Sequence, residues 1–490
     1  MYLPEWIQEF KEPRTEIRFL NNTYYKYEVK YIYNKEKRRT EKITVRLLGK
    51  IVEGTGFVAS DKNSIREELK KSPKVDIKTF GLYYLFSTLL EQEFLDFKTL
   101  FNVDIAEKIF SFAMMRWAYQ SPIKRASGYH VHDFCSEYWS RNSISDKQIS
   151  NSLKFIGENR EDLVLWMKGL LETSENSANK FVMMDSTHVT SLSEQLGINA
   201  VGYNPERNYD TQIRLMYLFS SELQKPVYYR LINGNITDIK SMTLCVKEMK
   251  IKDVIYIADK GFFSQENIEQ LALQKLQYII PLHRNNKLID FAPLLKANFK
   301  KKLKTFFLYQ ERVIWFYEYE HSGVKLITFL DEKLKIKEEN DYILRTKSMP
   351  EEYTEIKFYE KLHQFGTLTM TYATQETLNA SQLYQAYKQR NEVELMFDGY
   401  KNFLKADRMY MQDRHVLEGW LAANFIAMIA YYKLYTRLKE ANLLANTSPK
   451  DIIELSKSIY KIKVNGEWHL SEMTVKTKAL FKKLKIDYLK

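Results

Sequence analysis

Apolar positions change their period several times along this chain. Residues 24–51 read YYKYEVKYIYNKEKRRTEKITVRLLGKI, with Tyr, Val, Ile and Thr alternating with charges on both sides of the polar stretch NKEKRR. Alternation around a polar turn predicts a β-hairpin. From 76 to 172 apolar residues recur at three and four, as in FGLYYLFSTLLEQEFLDF and AEKIFSFAMMRWAYQ, which predicts helices. Within that stretch, Ser143-Ile144-Ser145-Asp146 leads into KQISNSLKFIG, a turn opening a short helix. Lys147, Gln148, Asn151 and Lys154 are then candidates to face DNA in a helix-turn-helix, although a plain helical bundle accounts for the pattern more simply. The polar run ETSENSANK at 172–180 reads as a linker.

Beyond Phe181 short apolar runs take over: FVMMDSTHV, TQIRLMYLFSS, VYYRLI and DVIYIAD. The turn NGN at 233–235, the helical TDIKSMTLCVKEMK and SQENIEQLALQKL, and the strand QYIIPL complete an order of three strands, helix, strand, helix, strand. That order predicts a mixed α/β core. Residues 285–375 are β-like and basic or aromatic, residues from about 381 to 405 are helical, and an apolar helix covers 416–438. The expected organisation is therefore a basic β-hairpin region at 1–75 and a helical, DNA-binding region at 76–180. A core split into 181–284 and 376–440 follows, with a β-rich insertion at 285–375 between its parts and a basic C-terminal region at 441–490.

Composition adds a partner. The chain has 490 residues, enough for about three domains, and 45% of them are hydrophobic, enough for a large core. Net charge is +12 with pI near 9.1, which favours a polyanion such as nucleic acid; a Lys-rich solvated surface is the plainer alternative. Nine Lys or Arg against three Glu lie between Lys26 and Lys50, so the hairpin is a candidate DNA contact. Cys135 and Cys245 belong to no metal-ligand or disulfide pattern, which suits a reducing cytoplasm. No apolar leader opens the chain, and the greasy run Trp420–Tyr432 is 13 residues long and contains Asn424, so it reads as a core helix with no membrane role. The expected location is the cytoplasm.

Three acidic positions carry the candidate chemistry. Asp185 directly follows the apolar strand Phe181–Met184, and Asp259 follows Val254–Ala258 and precedes Lys260-Gly261. A carboxylate at a strand end projects from a rigid sheet, although either Asp alone also reads as a turn former. In YQAYKQRNEVELMFDGYKNF, Tyr387, Arg390, Glu394 and Lys401 stand at successive steps of three, four and seven, which puts all four on one helical face with Phe397 between. An ordinary amphipathic helix with an Arg390–Glu394 ion pair would share part of that pattern. Glu392 is a rival carboxylate but points off that face.

Tyr-x2-Arg-x3-Glu-x6-Lys resembles the signature around the last carboxylate of bacterial insertion-sequence transposases of the DDE type, in the group named after insertion sequence four. MMDSTHVTS around Asp185, NGNITDIKS at 233–241 and IADKGFFSQEN around Asp259 are similar to that group as well. The resemblance covers most of the chain, and its last stretch least. It implies an RNase H-like core interrupted by the insertion, with Asp185, Asp259 and Glu394 as catalytic metal ligands. Two Mg²⁺ ions are implied, with Mn²⁺ able to substitute. Paired ions clamp the attacking and leaving oxygens of a phosphodiester, and three carboxylates suit hard cations better than zinc. Tyr387, Arg390 and Lys401 are implied DNA contacts. Asn235 and Asp238 are candidates to support the site. His188 is a candidate general base that bound metals would make unnecessary. Trp315 is a candidate to stack on an unstacked base, with a core role as the simpler reading.

The implied activity is cut-and-paste transposition: binding of terminal inverted repeats, strand cleavage and transfer into target DNA by a homodimer assembled on DNA, with no nucleotide cofactor. Two other readings stay open, another RNase H-like nuclease and a non-catalytic DNA-binding protein descended from a transposase.

Overall fold

The run Ile255–Ala258 is apolar at every position and is buried throughout, as a strand covered on both faces must be. It lies at the centre of the molecule's largest sheet in the computed structural model. That structure describes residues 3–35, 37–64, 75–139, 144–172, 180–202, 209–236, 238–249, 251, 253–296, 298–375 and 378–487. Ser143 and most of the 172–180 linker therefore lie outside the described residues. The chain divides into two compact units, Met1–Ile77 with Ile462–Leu470, and Lys78–Lys461 with Ser471–Lys490.

In the first unit the expected hairpin is the middle of a four-stranded antiparallel meander: β1 (Thr15–Leu20), β2 (Thr23–Asn34), β3 (Arg39–Val52) and β4 (Gly56–Ala59). A second sheet joins β5 (Val75–Thr79), β17 (Tyr460–Val464) and β18 (Glu467–Leu470) in the order β18-β17-β5.

The second unit is built on an 11-stranded sheet. Its strands are β6 (Phe181–Ser191), β7 (Ala200–Val201), β8 (Thr211–Ser220), β9 (Lys225–Asn233), β10 (Ile255–Ala258), β11 (Gln277–Pro281), β12 (Phe306–Tyr309), β13 (Arg312–His321), β14 (Val324–Asp331), β15 (Thr367–Ala373) and β16 (Arg408–Met409). Strands β9, β8 and β6 are antiparallel neighbours, and β10 and then β11 run parallel to β6. Three antiparallel strands followed by two parallel ones is the RNase H-like arrangement expected of the core. The insertion joins this sheet. Strand β15 pairs antiparallel with β11, and β14, β13 and β12 follow outward. It also carries a 17-residue helix, Glu332–Ser348, beside its strands.

Helices of 81–172 and the long helix Arg414–Glu440 pack as a bundle on this unit. The run Trp420–Tyr432 is buried within that long helix. Asn424 is accommodated there because its amide donates to Trp420 O and its Oδ1 accepts from Arg116 Nε at 2.9 Å. Among the described residues no helix is long and apolar enough to cross a membrane. Both cysteines are free and buried.

The proposed recognition helix is part of this bundle. Asp146–Glu158 opens on a Ser145–Gln148 capping box and buries Ile149, Leu153 and Ile156. It crosses the long helix at two glycines: a Cβ on Gly157 would meet His415 O at 2.0 Å, and one on Gly419 would meet Leu153 O at 2.0 Å. Lys154 pairs with Asp413 at 3.2 Å, and Gln148 is engaged in its own cap, leaving Lys147 and Asn151 on the exposed side.

Candidate active site

Strand β10 stops at Ala258, which pairs with Met184 on β6. Asp259 and Asp185 are the next residues of these parallel strands, so the register alone brings them side by side. Asp185 does not end its strand as the sequence pattern predicted. Strand β6 continues to Ser191 because β8 pairs with it through Thr190 and β16 takes over its other edge at Thr190–Ser191.

The third acidic residue comes from above this edge. The predicted long helix is broken: Ala380–Lys388 ends at Gln389, Asn391–Asp398 begins after Arg390, and Gly399–Phe403 forms a π-helical turn. Phe397 packs its ring against Tyr217, the residue paired with Asp185 across the sheet, which seats this segment over the strand end. Arg390 lies at the break. Its Nη1 is 3.6 Å from Asp185 Oδ2 and 3.6 Å from Asp259 Oδ1, and its Nη2 donates to Glu394 Oε1. The two Asp oxygens therefore lie within twice that distance of each other, and three carboxylates distant in sequence meet on one guanidinium.

Electrostatics agree with this picture. Burial by itself would lower the Arg390 pKa, but the carboxylates of Asp259, Asp185 and Glu394, with the Tyr387 hydroxyl beside them, outweigh burial and raise it. Burial pushes the Tyr387 phenol beside it up to about 12. Among the described residues no three His, Cys, Asp or Glu side chains form a ready metal cage, and the Arg390 guanidinium stands among the three carboxylates. The donors still suit a hard divalent cation. All are oxygens on separate elements, and three carboxylates against one guanidinium leave two net negative charges.

Residues 177–430, just over half of the chain, match the family described as transposase DDE domain. The chain belongs to the DDE transposase family. The match takes in all three carboxylates of the transposase and the β-rich segment between Asp259 and Glu394. No curated protein matches it. Among solved structures, a piggyBac transposase synaptic complex with hairpin DNA is similar over 73% of this chain and 70% of that one, at 11% identity and a TM-score of 0.39. A Mos1 transposase paired-end complex with the left transposon end is similar over 38% of this chain and 61% of that one, at 12% identity and a TM-score of 0.15.

Other predicted site residues of the transposase are dispersed. Lys401 sits on the π-helical turn and lines a pocket of about 450 Å³ with His188, Thr190, Lys405 and Arg408. His188 is three residues beyond Asp185, an odd spacing that turns it to the other face of β6. Asn235 is exposed in the turn after β9, whose end Asn233 lies level with Val189, about 13 Å along the sheet from Asp185. Asp238 opens the helix Asp238–Met249, and its side chain lies outside the described residues. Trp315 is engaged within the insertion, donating to Glu332 at 3.3 Å and packing on Phe306 beside Lys300. Glu392 faces Lys439 at 3.8 Å, away from the Asp pair.

Sequence reasoning missed Arg214, Lys405 and Arg408. Arg214 is paired with His188 across the strands and donates to Ser186 Oγ at 3.2 Å; a lone Arg in the apolar run TQIRLMYLFS was its signal. Lys405 and Arg408 gave none, because only the π-helical turn and the β16–β6 pairing bring them to the pocket.

Proposed function

We propose that this DNA transposase holds divalent metal with Asp185, Asp259 and Glu394, cleaves transposon-end strands and joins them to target DNA. The convergence of the three carboxylates on Arg390 carries the reading. Mg²⁺, with Mn²⁺ as substitute, is the ion class that an all-carboxylate set takes, and bound as a pair it would neutralise developing charge on the phosphodiester. Asp185 and Asp259 are fixed by the sheet and supply the rigid half of the site. Glu394, with a side chain 55% exposed, supplies the adaptable half. Arg390 and Tyr387 orient the carboxylates and a neighbouring phosphate, and Lys401 holds DNA backbone from its pocket. The protein acts as a homodimer on paired transposon ends, in the nucleoid of the cytoplasm.

The deciding experiment compares wild type with Asp259→Asn on DNA carrying the gene's flanking inverted repeats. The variant should bind that DNA within about twofold of wild type while Mg²⁺-dependent nicking falls by about a thousandfold or more. Cleavage by the variant at an undiminished rate would remove Asp259 from the site. Binding without metal-dependent cleavage by wild type would favour the non-catalytic reading.

A further inference from the structure

The hairpin β2–β3 outruns the sheet that contains it. Strand β1 covers β2 only from Thr23 to Glu28, and β4 covers β3 only from Gly49 to Val52. Beyond that, Val29–Asn34 pairs with Thr44–Arg39 and with no other strand among the described residues. Register shifts between Lys26 and Tyr27 and between Glu28 and Val29 mark where the ribbon leaves, and such bulges bend and twist a strand. Val29 is buried at the ribbon's base, and beyond it both faces are exposed. Opposed residues share a face, so Tyr31 and Tyr33 lie with Lys42 and Thr40 on one side, and Lys30 and Ile32 lie with Ile43 and Glu41 on the other. Tyr31 is 60% exposed, Tyr33 59%, Ile32 42% and Ile43 47%. A monomer gains nothing by holding this much apolar and aromatic surface in water on both faces of one ribbon.

Charge selects the occupant. Residues 29–42 contain six Lys or Arg and two Glu, and the chain as a whole carries +12. We infer that this ribbon enters the major groove of duplex DNA. Its two strands lie about 4.8 Å apart with side chains on either side. That width fits a groove about 12 Å across and not the minor groove of about 6 Å. Lys30, Arg38 and Arg39 meet phosphates at the groove walls, while Tyr31, Tyr33 and Ile32 lie against base edges and thymine methyls. The ribbon lies outside residues 177–430, so it is an addition to the catalytic family unit. The bundle offers a poorer reader, since the Asp146–Glu158 helix spends its apolar face on the long helix.

The inference rests on the reading that the protein acts on DNA, and the test separates the two. Full-length protein is titrated with about three helical turns of duplex at several salt concentrations. In the triple variant Lys30→Gln, Arg38→Gln, Arg39→Gln the slope of log affinity against log salt should fall by about 2–3, since each lost phosphate contact removes about 0.9. The control triple Lys476→Gln, Lys478→Gln, Lys482→Gln should leave it within about 1 of wild type. Wild type, but not the ribbon variant, should shield guanine N7 from methylation. An unchanged slope, an equal effect of both triples, or shielding that survives in the ribbon variant overturns the proposal. So does loss of self-association at constant DNA affinity, which would make the ribbon a contact between copies. In each of those cases Asp259-dependent cleavage by wild type still upholds the transposase reading.

Discussion

Arg390 joins three carboxylates that the chain brings together from distant positions. With its side chain only 15% exposed it satisfies Asp185, Asp259 and Glu394 together, and it holds like charges at a separation they would otherwise resist. Arg390→Gln keeps length and polarity but removes the charge. We expect a stability loss of about 1–3 kcal/mol in chemical denaturation without metal, because partly buried carboxylates lose their counter-charge. Mg²⁺ should then raise the variant's melting temperature more than wild type's; equal shifts would show that Arg390 does not balance the triad. A second residue-scale prediction concerns the fully buried Asp133, whose Oδ1 accepts from Cys135 N at 2.9 Å. Burial raises its pKa from 3.8 to about 7, against the pull of the Cys135 hydrogen bonds and Lys78. Between those values the folded state binds more protons than the unfolded, so stability falls as pH rises from about 4 to about 7, by up to about 4 kcal/mol. His130 acts in the opposite sense: burial lowers its pKa from 6.5 to about 4, so its contribution is lost as pH falls through that window. Asp133→Asn should remove the falling component, so that urea midpoints rise with pH across this window, as His130 and salt-bridged carboxylates such as Glu93 and Glu248, whose pKa values are lowered, all require. Parallel profiles for variant and wild type would refute this.

At the scale of elements, the helix pair Asp146–Glu158 and Arg414–Glu440 depends on the absence of two side chains. Gly157→Ala would place a Cβ 2.0 Å from His415 O, a backbone atom that cannot swing aside. The helices must separate, at a cost of about 1–3 kcal/mol or more, read as a lower urea midpoint. A midpoint shift within error would mean that the crossing is looser than its geometry. Much of the architecture at this level is legible in local pattern alone. The order of core strands and helices, the buried 420–432 helix and the carboxylate after β10 all follow from periodicity and strand ends. What pattern could not supply came from partners distant in sequence. Asp185 lies within a strand because β8 and β16 extend it. Arg390 stands at a helix break, and Lys401 lies on a π-helical turn, so neither sits in the one continuous helix that the spacing predicted. The insertion reads as a separate β region in the sequence, whereas pairing of β15 with β11 makes it part of the core sheet.

The whole molecule makes its site late. Asp185 and Asp259 come from the sheet's centre, whereas Glu394 arrives only after the chain has built the insertion and returned through β15. The return is anchored by aromatic packing: the Phe329 ring of β14 lies 5.1 Å from that of Tyr384, in the helix just before Arg390, and 6.1 Å from that of Phe307. One unbroken sheet therefore couples insertion and core, and a defect far from the carboxylates should be felt at them. Phe329 is 1% exposed, so Phe329→Ala should cost about 3–5 kcal/mol. Hydrogen exchange should show that loss in β6 and β10 as well as in β14, because a cooperative sheet opens as a unit. Metal-dependent cleavage should fall with it although no ligand has changed. If exchange quickened only in β12, β13 and β14 while β6 and β10 kept full protection, the insertion would be an independent body that merely borders the core. The third carboxylate would then owe its position to contacts with the core that do not pass through the insertion, such as Phe397 on Tyr217 and the Tyr432 hydroxyl donating to Glu392 O.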